Sequence, residues 1–321
     1  MILSKKWSSE VRGVSAVPFM VILILIALGF LLAVVVLILL FAFTPDDRQV
    51  LLSSPKKLTH DGLERTYRIY VPKNGGKKSL IIGLHALGGS GRRFAFFTGL
   101  HNATDENTIV VYPDAVPSNK KGLKAGWNST YCCGTGLESS IDDAGFILAL
   151  IERLIQDYDI DQSKIFITGF SNGATMSQYL ATEYPKKFAG VAAISGSVGV
   201  KKKVLKPSSA VPILLAHGKR DTDIPFKGGI TGDDEFFNWL DFSTTVDTWK
   251  NVNGCGQETK IIEQSNTREI IDYEGCDALV RSVIYTNLGH QWDDWRIGKL
   301  WRKTPRGSKL VVSFFEDIPN N

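Results

Sequence analysis

Apolar runs without polar alternation recur through most of this chain, and amphipathic stretches separate them. "RTYRIYVP" (65–72), "KSLIIGLH" (78–85), "TIVVYP" (108–113), "KIFITGF" (164–170), "FAGVAAISG" (188–196), "VPILLAHG" (211–218) and "VRSVIYTN" (280–287) read as strands. A strand with one wet face alternates apolar and polar residues, whereas a continuous apolar run is covered on both faces. Between the strands, "DDAGFILALIERLIQDY" (142–158) sets Phe146, Ile147, Leu150, Ile151 and Leu154 at helical spacing, with acids in its first turn. "ATMSQYLATEYP" (174–185), "FSTTVDTWKNVN" (242–253) and "KLVVSFFED" (309–317) are further helices. Strands alternating with helices predict an α/β fold: one mostly parallel central sheet with helices on both faces.

The N-terminus stands apart from that pattern. From Val17 to Thr44 there is no charged residue. A bilayer core needs ~20 apolar residues, and a cleaved signal peptide carries only ~7–15. The run therefore reads as an uncleaved transmembrane signal anchor over 17–44, so that one N-terminal transmembrane helix precedes the α/β domain. Lys5, Lys6 and Arg12 precede it, and Asp46 and Asp47 follow. The positive-inside rule then puts residues 1–16 in the cytoplasm and the rest outside. Secretion after cleavage is the alternative. Residues 45–59 read as a tether, and 60–321 as one domain.

An extracytoplasmic domain permits disulfides. Neighbouring Cα atoms lie about 3.8 Å apart, below the usual disulfide range, so Cys255 and Cys276 are the natural pair. Cys132 and Cys133 are two thiols or a vicinal bridge. Asn102-Ala-Thr and Asn128-Ser-Thr are glycosylation triplets. A net charge of +4 carries no nucleic-acid signal, and the cysteine spacing is not that of a zinc site.

One junction carries chemistry. The strand 164–170 meets Gly169-Phe170-Ser171-Asn172-Gly173, and a helix follows. A G-x-S-x-G turn between strand and helix is the nucleophile elbow of α/β-hydrolases, with Ser171 raised at the C-terminal edge of the sheet. A serine needs a base and an acid, and this fold supplies them in the order Ser…Asp…His. His290, in "TNLGHQW", follows the last strand and is the candidate base. "LLAHGKRDTDIPF" delivers Asp221 and Asp223 at a strand end, with Asp221 preferred as the acid; His217 fits a turn-shaping role. Asp233, Asp234, Asp241 and Asp247 read as solvated charges. For an oxyanion hole, the candidate donors are the main-chain amides of Asn172 and of Leu87 in "LHALGGSG" (84–91).

These segments together resemble the esterase family of poly(3-hydroxybutyrate) depolymerases and feruloyl and acetylxylan esterases. The match rests on "YRIYVP", "LHALGGS", "VYPDA", "GWNSTYCCG", "DDAGFI", the block 158–197, "LLAHGKRDTDIPFKGG", "W…NGC" and "GHQW". The resemblance implies an α/β-hydrolase fold and hydrolysis of ester bonds in polysaccharide decorations or polyesters. Ser171 is then the nucleophile, Asp221 the acid and His290 the base, with no metal or organic cofactor. Trp127, in "GWNSTYCCG", either stacks on a sugar or aromatic acid or anchors the core. Trp292 falls at the rim of the pocket and joins it as a substrate-binding candidate. The usual His-Gly of the oxyanion loop is His85-Ala86 here, and the usual Trp-Pro-Gly after the base is Trp292-Asp293-Asp294. Asp142 and Asp143 read as helix-capping acids.

The implied partners are an ester substrate, polysaccharide-linked or polyester, and a membrane through residues 17–44, but no nucleic acid. "KKKVLK" (201–206) with Lys120, Lys121 and Lys124 suggests a basic mouth or a solvated lysine face. A catalytically silent, membrane-tethered binding module and a serine peptidase are the competing readings.

Overall fold

The computed structural model describes residues 19–117, 124–130, 132–134, 140–201, 203–231, 237–294 and 304–319, with side chains from Met20 to Val34 and from Phe43 onward. Lys5, Lys6, Arg12, Lys120, Lys121, Lys202, Asp233 and Asp234 lie outside the described residues. The chain divides between Thr44 and Pro45 into two units. The first holds one helix, α1 (Phe19–Ala42), of 24 residues. Among its described side chains, Leu25 and Phe30 are exposed. Among the described residues no helix is long and apolar enough to cross a membrane. The side chains of 35–42 are not among them.

The second unit, Pro45–Asn321, is built on a ten-stranded sheet. Its strands are β1 (Lys56–His60), β2 (Leu63–Tyr70), β3 (Lys78–Leu84), β4 (Thr108–Pro113), β5 (Ile160–Phe170), β6 (Gly190–Ile194), β9 (Ile213–Gly218), β12 (Thr259–Gln264), β13 (Arg268–Tyr273) and β14 (Val280–Tyr285). The order is β1-β2-β4-β3-β5-β6-β9-β14-β13-β12. From β4 to β14 every pairing is parallel, and the outer pairings are antiparallel. β4, β6 and β9 are buried along their whole length, which is why their sequences show no alternation. β7 (Gly199–Val200), β8 (Lys203–Val204), β10 (Gly229–Ile230) and β11 (Asn238–Trp239) form a small second sheet.

The helices of this unit are α2 (Pro45–Leu52), α3 (Gly91–Thr98), α4 (Asp143–Asp157), α5 (Asn172–Glu183), α6 (Phe242–Val252) and α7 (Arg306–Glu316). Asp142 caps α4 by accepting from the Gly145 amide at 2.9 Å. Asp143 does something else. Its carboxylate is buried against the Arg65 guanidinium at 2.6 Å, and the Arg65 guanidinium stacks over the Phe146 ring at 4.0 Å.

Residues 45–59 are not a tether. Val50 and Leu51 of α2 are buried, and so is Asp47, whose Oδ1 lies 3.0 Å from both His101 Nε2 and Asn102 Nδ2. β1 then pairs with β2 through a turn at Asp61-Gly62, both with positive φ. The Asn-Gly and Asp-Gly type of turn is favoured there because its twist matches the strands. "PDDRQVLL" is too short and too charged to show helical periodicity, so its packing is invisible in the sequence.

The structure pairs Cys255 with Cys276 and Cys132 with Cys133. The side-chain amides of Asn102 and Asn128, the two glycosylation candidates, hydrogen-bond within the domain to Asp47 and the Ile141 carbonyl.

Candidate active site

β5 lies near the middle of the sheet and ends at Phe170, and α5 begins at Asn172. Ser171 is the whole turn between them, with φ +57°. That left-handed conformation is costly for a residue with a Cβ and is held only where the surroundings enforce it. The flanking glycines show the enforcement. A Cβ on Gly169 would lie 2.2 Å from the Gly173 carbonyl oxygen, and one on Gly173 would lie 2.3 Å from the Leu84 carbonyl oxygen. No side chain fits at either place. Ser171 occupies the N-cap of α5, yet its hydroxyl makes no capping bond. It faces His290 instead.

His290 Nε2 lies 2.8 Å from Ser171 Oγ, and His290 Nδ1 lies 2.8 Å from Asp221 Oδ2. The structure therefore brings together the three residues that the sequence reading selects, and Asp223 is not the residue at the imidazole. Two loops set this geometry. After β9, Lys219 and Arg220 donate main-chain bonds to the Tyr285 and Leu288 carbonyls. A Cβ on Gly218 would meet the Leu288 oxygen at 2.2 Å. The loop that carries Asp221 and the loop that carries His290 are thus laced together, backbone to backbone. The Phe170 ring packs 4.9 Å from the imidazole.

Asp221 is saturated with donors. Its Oδ1 accepts from the amides of Asp223 and Ile224, each at 3.0 Å. Its Oδ2 faces His290 and also His217 Nε2 at 3.2 Å. Burial alone would raise this carboxyl, but the bonds from His217 and His290 overcome it and hold Asp221 below the usual carboxylate range. His217 Nε2 lies 2.8 Å from the Ile224 carbonyl, an acceptor, so Nε2 carries the proton. Sequence reasoning gives His217 a role at the turn but misses its contact with Asp221. The spacing His-x-x-x-Asp at a strand end is the available signal.

The loop after β3 is held by a second buried histidine. His85 Nε2 accepts from the Ala115 amide at 3.0 Å, so its proton sits on Nδ1 and is donated to the Ala86 carbonyl at 2.7 Å. Burial lowers the basicity of His85 and keeps it neutral. The Gly89 amide donates to the same carbonyl at 2.9 Å. In a planar trans peptide the N–H points opposite to the C=O. With the Ala86 oxygen pinned twice, the Leu87 N–H is turned the other way, and among the described residues it has no acceptor. Ala86 is not among the positive-φ residues, so its extra methyl is accommodated; the loop bends at Gly88, with φ +72°.

Both tryptophans selected as substrate contacts are core residues. Trp127 and Trp292 are each 0% exposed. The Trp127 indole N–H donates to the His85 carbonyl at 2.9 Å, and that of Trp292 to Ser308 Oγ at 3.2 Å. A buried indole needs such a partner, and neither ring has a face left for substrate. Lys124 lies along Gly88, and Lys203 Nζ donates to the Thr130 carbonyl at 3.3 Å. Among the described residues no cluster of His, Cys, Asp or Glu could hold a metal ion.

Residues 67–253 match the phospholipase/carboxylesterase family of α/β-hydrolases. A probable feruloyl esterase C of Aspergillus niger is 30% identical over 237 residues, covering 70% of this chain and 76% of its own length. A putative esterase, NocK, of Nocardia uniformis subsp. tsuyamanensis is 27% identical over 194 residues, which cover 58% of this chain and 54% of that protein. The fold is shared with an acetyl xylan esterase from Aspergillus awamori, at a TM-score of 0.58 and 18% identity, covering 82% of this chain and 99% of that one. An elbow serine, a parallel sheet in this order and this family match lead to one assignment: the chain belongs to the phospholipase/carboxylesterase family of the α/β-hydrolase superfamily and is a carboxylic ester hydrolase.

Proposed function

We propose that the chain is a membrane-anchored, extracytoplasmic serine esterase that cleaves feruloyl or acetyl esters of polysaccharides or their fragments through an acyl-enzyme. One observation carries the mechanism: the continuous chain of 2.8 Å contacts from Ser171 Oγ through His290 to Asp221. Asp221 holds the Nδ1–H tautomer, which leaves the Nε2 lone pair facing the serine hydroxyl. His290 takes that proton as Ser171 attacks the ester carbonyl, and Asp221 stabilises the imidazolium. The amides of Asn172 and Leu87 receive the developing oxyanion. Proton return from His290 to the alcohol oxygen releases the alcohol, and water repeats the sequence on the acyl-enzyme.

The substrate class is supported by the relatives, above all the probable feruloyl esterase C of Aspergillus niger at 30% identity. The anchor is supported by the charge-free sequence run 17–44. Asp47 is buried in the domain, so of the two acids after the run only Asp46 is available as a flanking charge.

The test uses the full-length chain and its Ser171→Ala variant on p-nitrophenyl acetate, methyl ferulate, acetylated xylan and a hydroxybutyrate oligomer. Wild type cleaves methyl ferulate or acetylated xylan, and the variant loses at least ~10³-fold. The chain stays in the membrane pellet through an alkaline carbonate wash. Equal activity of the two proteins removes the mechanism, preference for the oligomer moves the substrate to polyesters, and inactivity of both points to a binding module.

A further inference from the structure

We infer that Trp127 is a positioning residue that locks the two halves of the oxyanion hole to each other. The inference rests on the serine-esterase reading above. The two donor amides belong to different loops: Leu87 follows β3, and Asn172 opens α5. A third segment, Ala125–Trp127, bridges them. On one side the Ala125 carbonyl accepts from the Gly88 amide at 2.7 Å. On the same side the Trp127 indole N–H donates to the His85 carbonyl at 2.9 Å. On the other side the Trp127 main chain forms a reciprocal pair with the Asn172 side chain. Its N–H donates to Oδ1 at 2.7 Å, and its carbonyl accepts from Nδ2 at 3.1 Å.

The part of this bridge that runs through Trp127 is withdrawn from water, whereas the Gly88–Ala125 contact lies at the surface. Trp127 is 0% exposed, and Asn172 and His85 are each 1% exposed. Asn172 Nδ2 also reaches the Cys132 carbonyl at 3.3 Å, so the amide has no spare donor. The indole lies against the His85 imidazole, with ring centroids 4.9 Å apart. His85 in turn fixes the Ala86–Leu87 peptide. The segment is wedged closely: a Cβ on Gly126 would lie 2.3 Å from the Cys133 oxygen and 2.8 Å from Leu87 Cδ1.

Oxyanion donors work only when both reach one point at about 2.7–3.1 Å. Displacement of one loop against the other by a fraction of that distance separates them. Anchoring the core alone would not require Trp127 to bond on one side to the donor loop and on the other to the residue after the nucleophile. This arrangement makes the ring a spacer between the two donors. Removing the indole donor should therefore impair the transition state more than substrate binding.

The experiment replaces Trp127 with Phe and, separately, with 3-benzothienylalanine, which keeps the ring shape and puts sulfur in place of N–H. Full-length proteins are assayed on p-nitrophenyl acetate for kcat and KM, and for inhibition by an aryl boronic acid, which forms a tetrahedral adduct on serine. The benzothienyl protein should keep its thermal midpoint within a few degrees and its KM within about threefold, while kcat falls about 10- to 100-fold. Boronate affinity should fall by the same factor as kcat/KM. A benzothienyl protein with unchanged kcat and boronate affinity overturns the positioning role, and so does a loss confined to KM. Ser171→Ala in the same assay separates the two failures. If it is inactive while the benzothienyl protein is unimpaired, only the role of Trp127 falls; if it stays active, the esterase mechanism falls with it.

Discussion

Asp221→Asn replaces one carboxylate oxygen by NH₂, and the four donors around that side chain decide which way the new amide turns. In one orientation the NH₂ faces the amides of Asp223 and Ile224, each 3.0 Å away in the native protein. Both amides then lose their acceptor. A buried donor left unsatisfied costs about 1–3 kcal/mol, so the pair costs about 2–6 kcal/mol. In the other orientation the NH₂ faces His290 Nδ1, native partner of Oδ2 at 2.8 Å, and both amides keep their bonds. His290 must then accept at Nδ1 and carry its proton on Nε2, toward Ser171. It cannot take the serine proton in that tautomer. His217 keeps the Ile224 carbonyl in either case. The inactive orientation is therefore favoured by about 2–6 kcal/mol, which at 1.36 kcal/mol per decade is a loss of about 30-fold to about 10⁴-fold in kcat. The assay is kcat on p-nitrophenyl acetate with the full-length chain, beside a thermal unfolding scan. A variant that unfolds like wild type and keeps kcat within threefold would refute the hydrogen-bond account of the acid.

Two further outcomes rest on buried groups outside the reacting atoms. Arg65→Met leaves the Asp143 carboxylate buried with the Asn128 amide, at 2.8 Å, as its remaining described donor. It should cost about 3–5 kcal/mol in denaturant unfolding, and adding Asp143→Leu should recover at least half; a cost below about 1 kcal/mol for Arg65→Met would contradict the burial argument. His85 gives a pH signature. Burial lowers its folded basicity, so the unfolded chain takes up the proton first as pH falls. The stability it contributes is complete above the ordinary imidazole value of about 6.5 and is lost below it, by about 1.4 kcal/mol per pH unit until the folded group titrates. The stability difference between wild type and His85→Gln should shrink from pH 7.5 to 5.5, and a constant difference would exclude His85 as the source.

The central strands are legible because burial on both faces writes itself into a sequence as an unbroken apolar run. The Ser171 elbow is legible because two glycines and a serine sit where such a run turns into a helix. His290 and Asp221 come from chain order; in the structure His290 meets Ser171, and Asp221 meets His290. The edges of the sheet are not legible in the same way. β12 is almost wholly exposed, and "TKIIEQ" carries no run and little alternation. The hairpin at Asp61-Gly62 does carry a turn signal, yet residues 45–59 resemble a tether because their partners, His101 and Asn102, lie far along the chain. Trp127 and Trp292 mislead for the same reason. A tryptophan in a polar loop looks alike whether it meets solvent or a distant carbonyl, and only the positions of His85 and Ser308 decide between the two.

The lacing between the loops after β9 and β14 has a mechanical consequence. Asp221 and His290 are tied into one block, because main-chain bonds from Lys219 and Arg220 to the Tyr285 and Leu288 carbonyls join their loops. Ser171, Asn172 and the loop after β3 form a second block, clamped through Trp127. Both blocks stand on the continuous sheet β5-β6-β9-β14, and above it the joint between their side chains is crossed by the Ser171–His290 hydrogen bond and by the Phe170 ring against the imidazole. Thermal opening of the site should therefore begin as a hinge at that joint. The acid–base pair and the oxyanion donors would each stay assembled while the nucleophile parts from its base, and reclosing that single seam would restore the whole site.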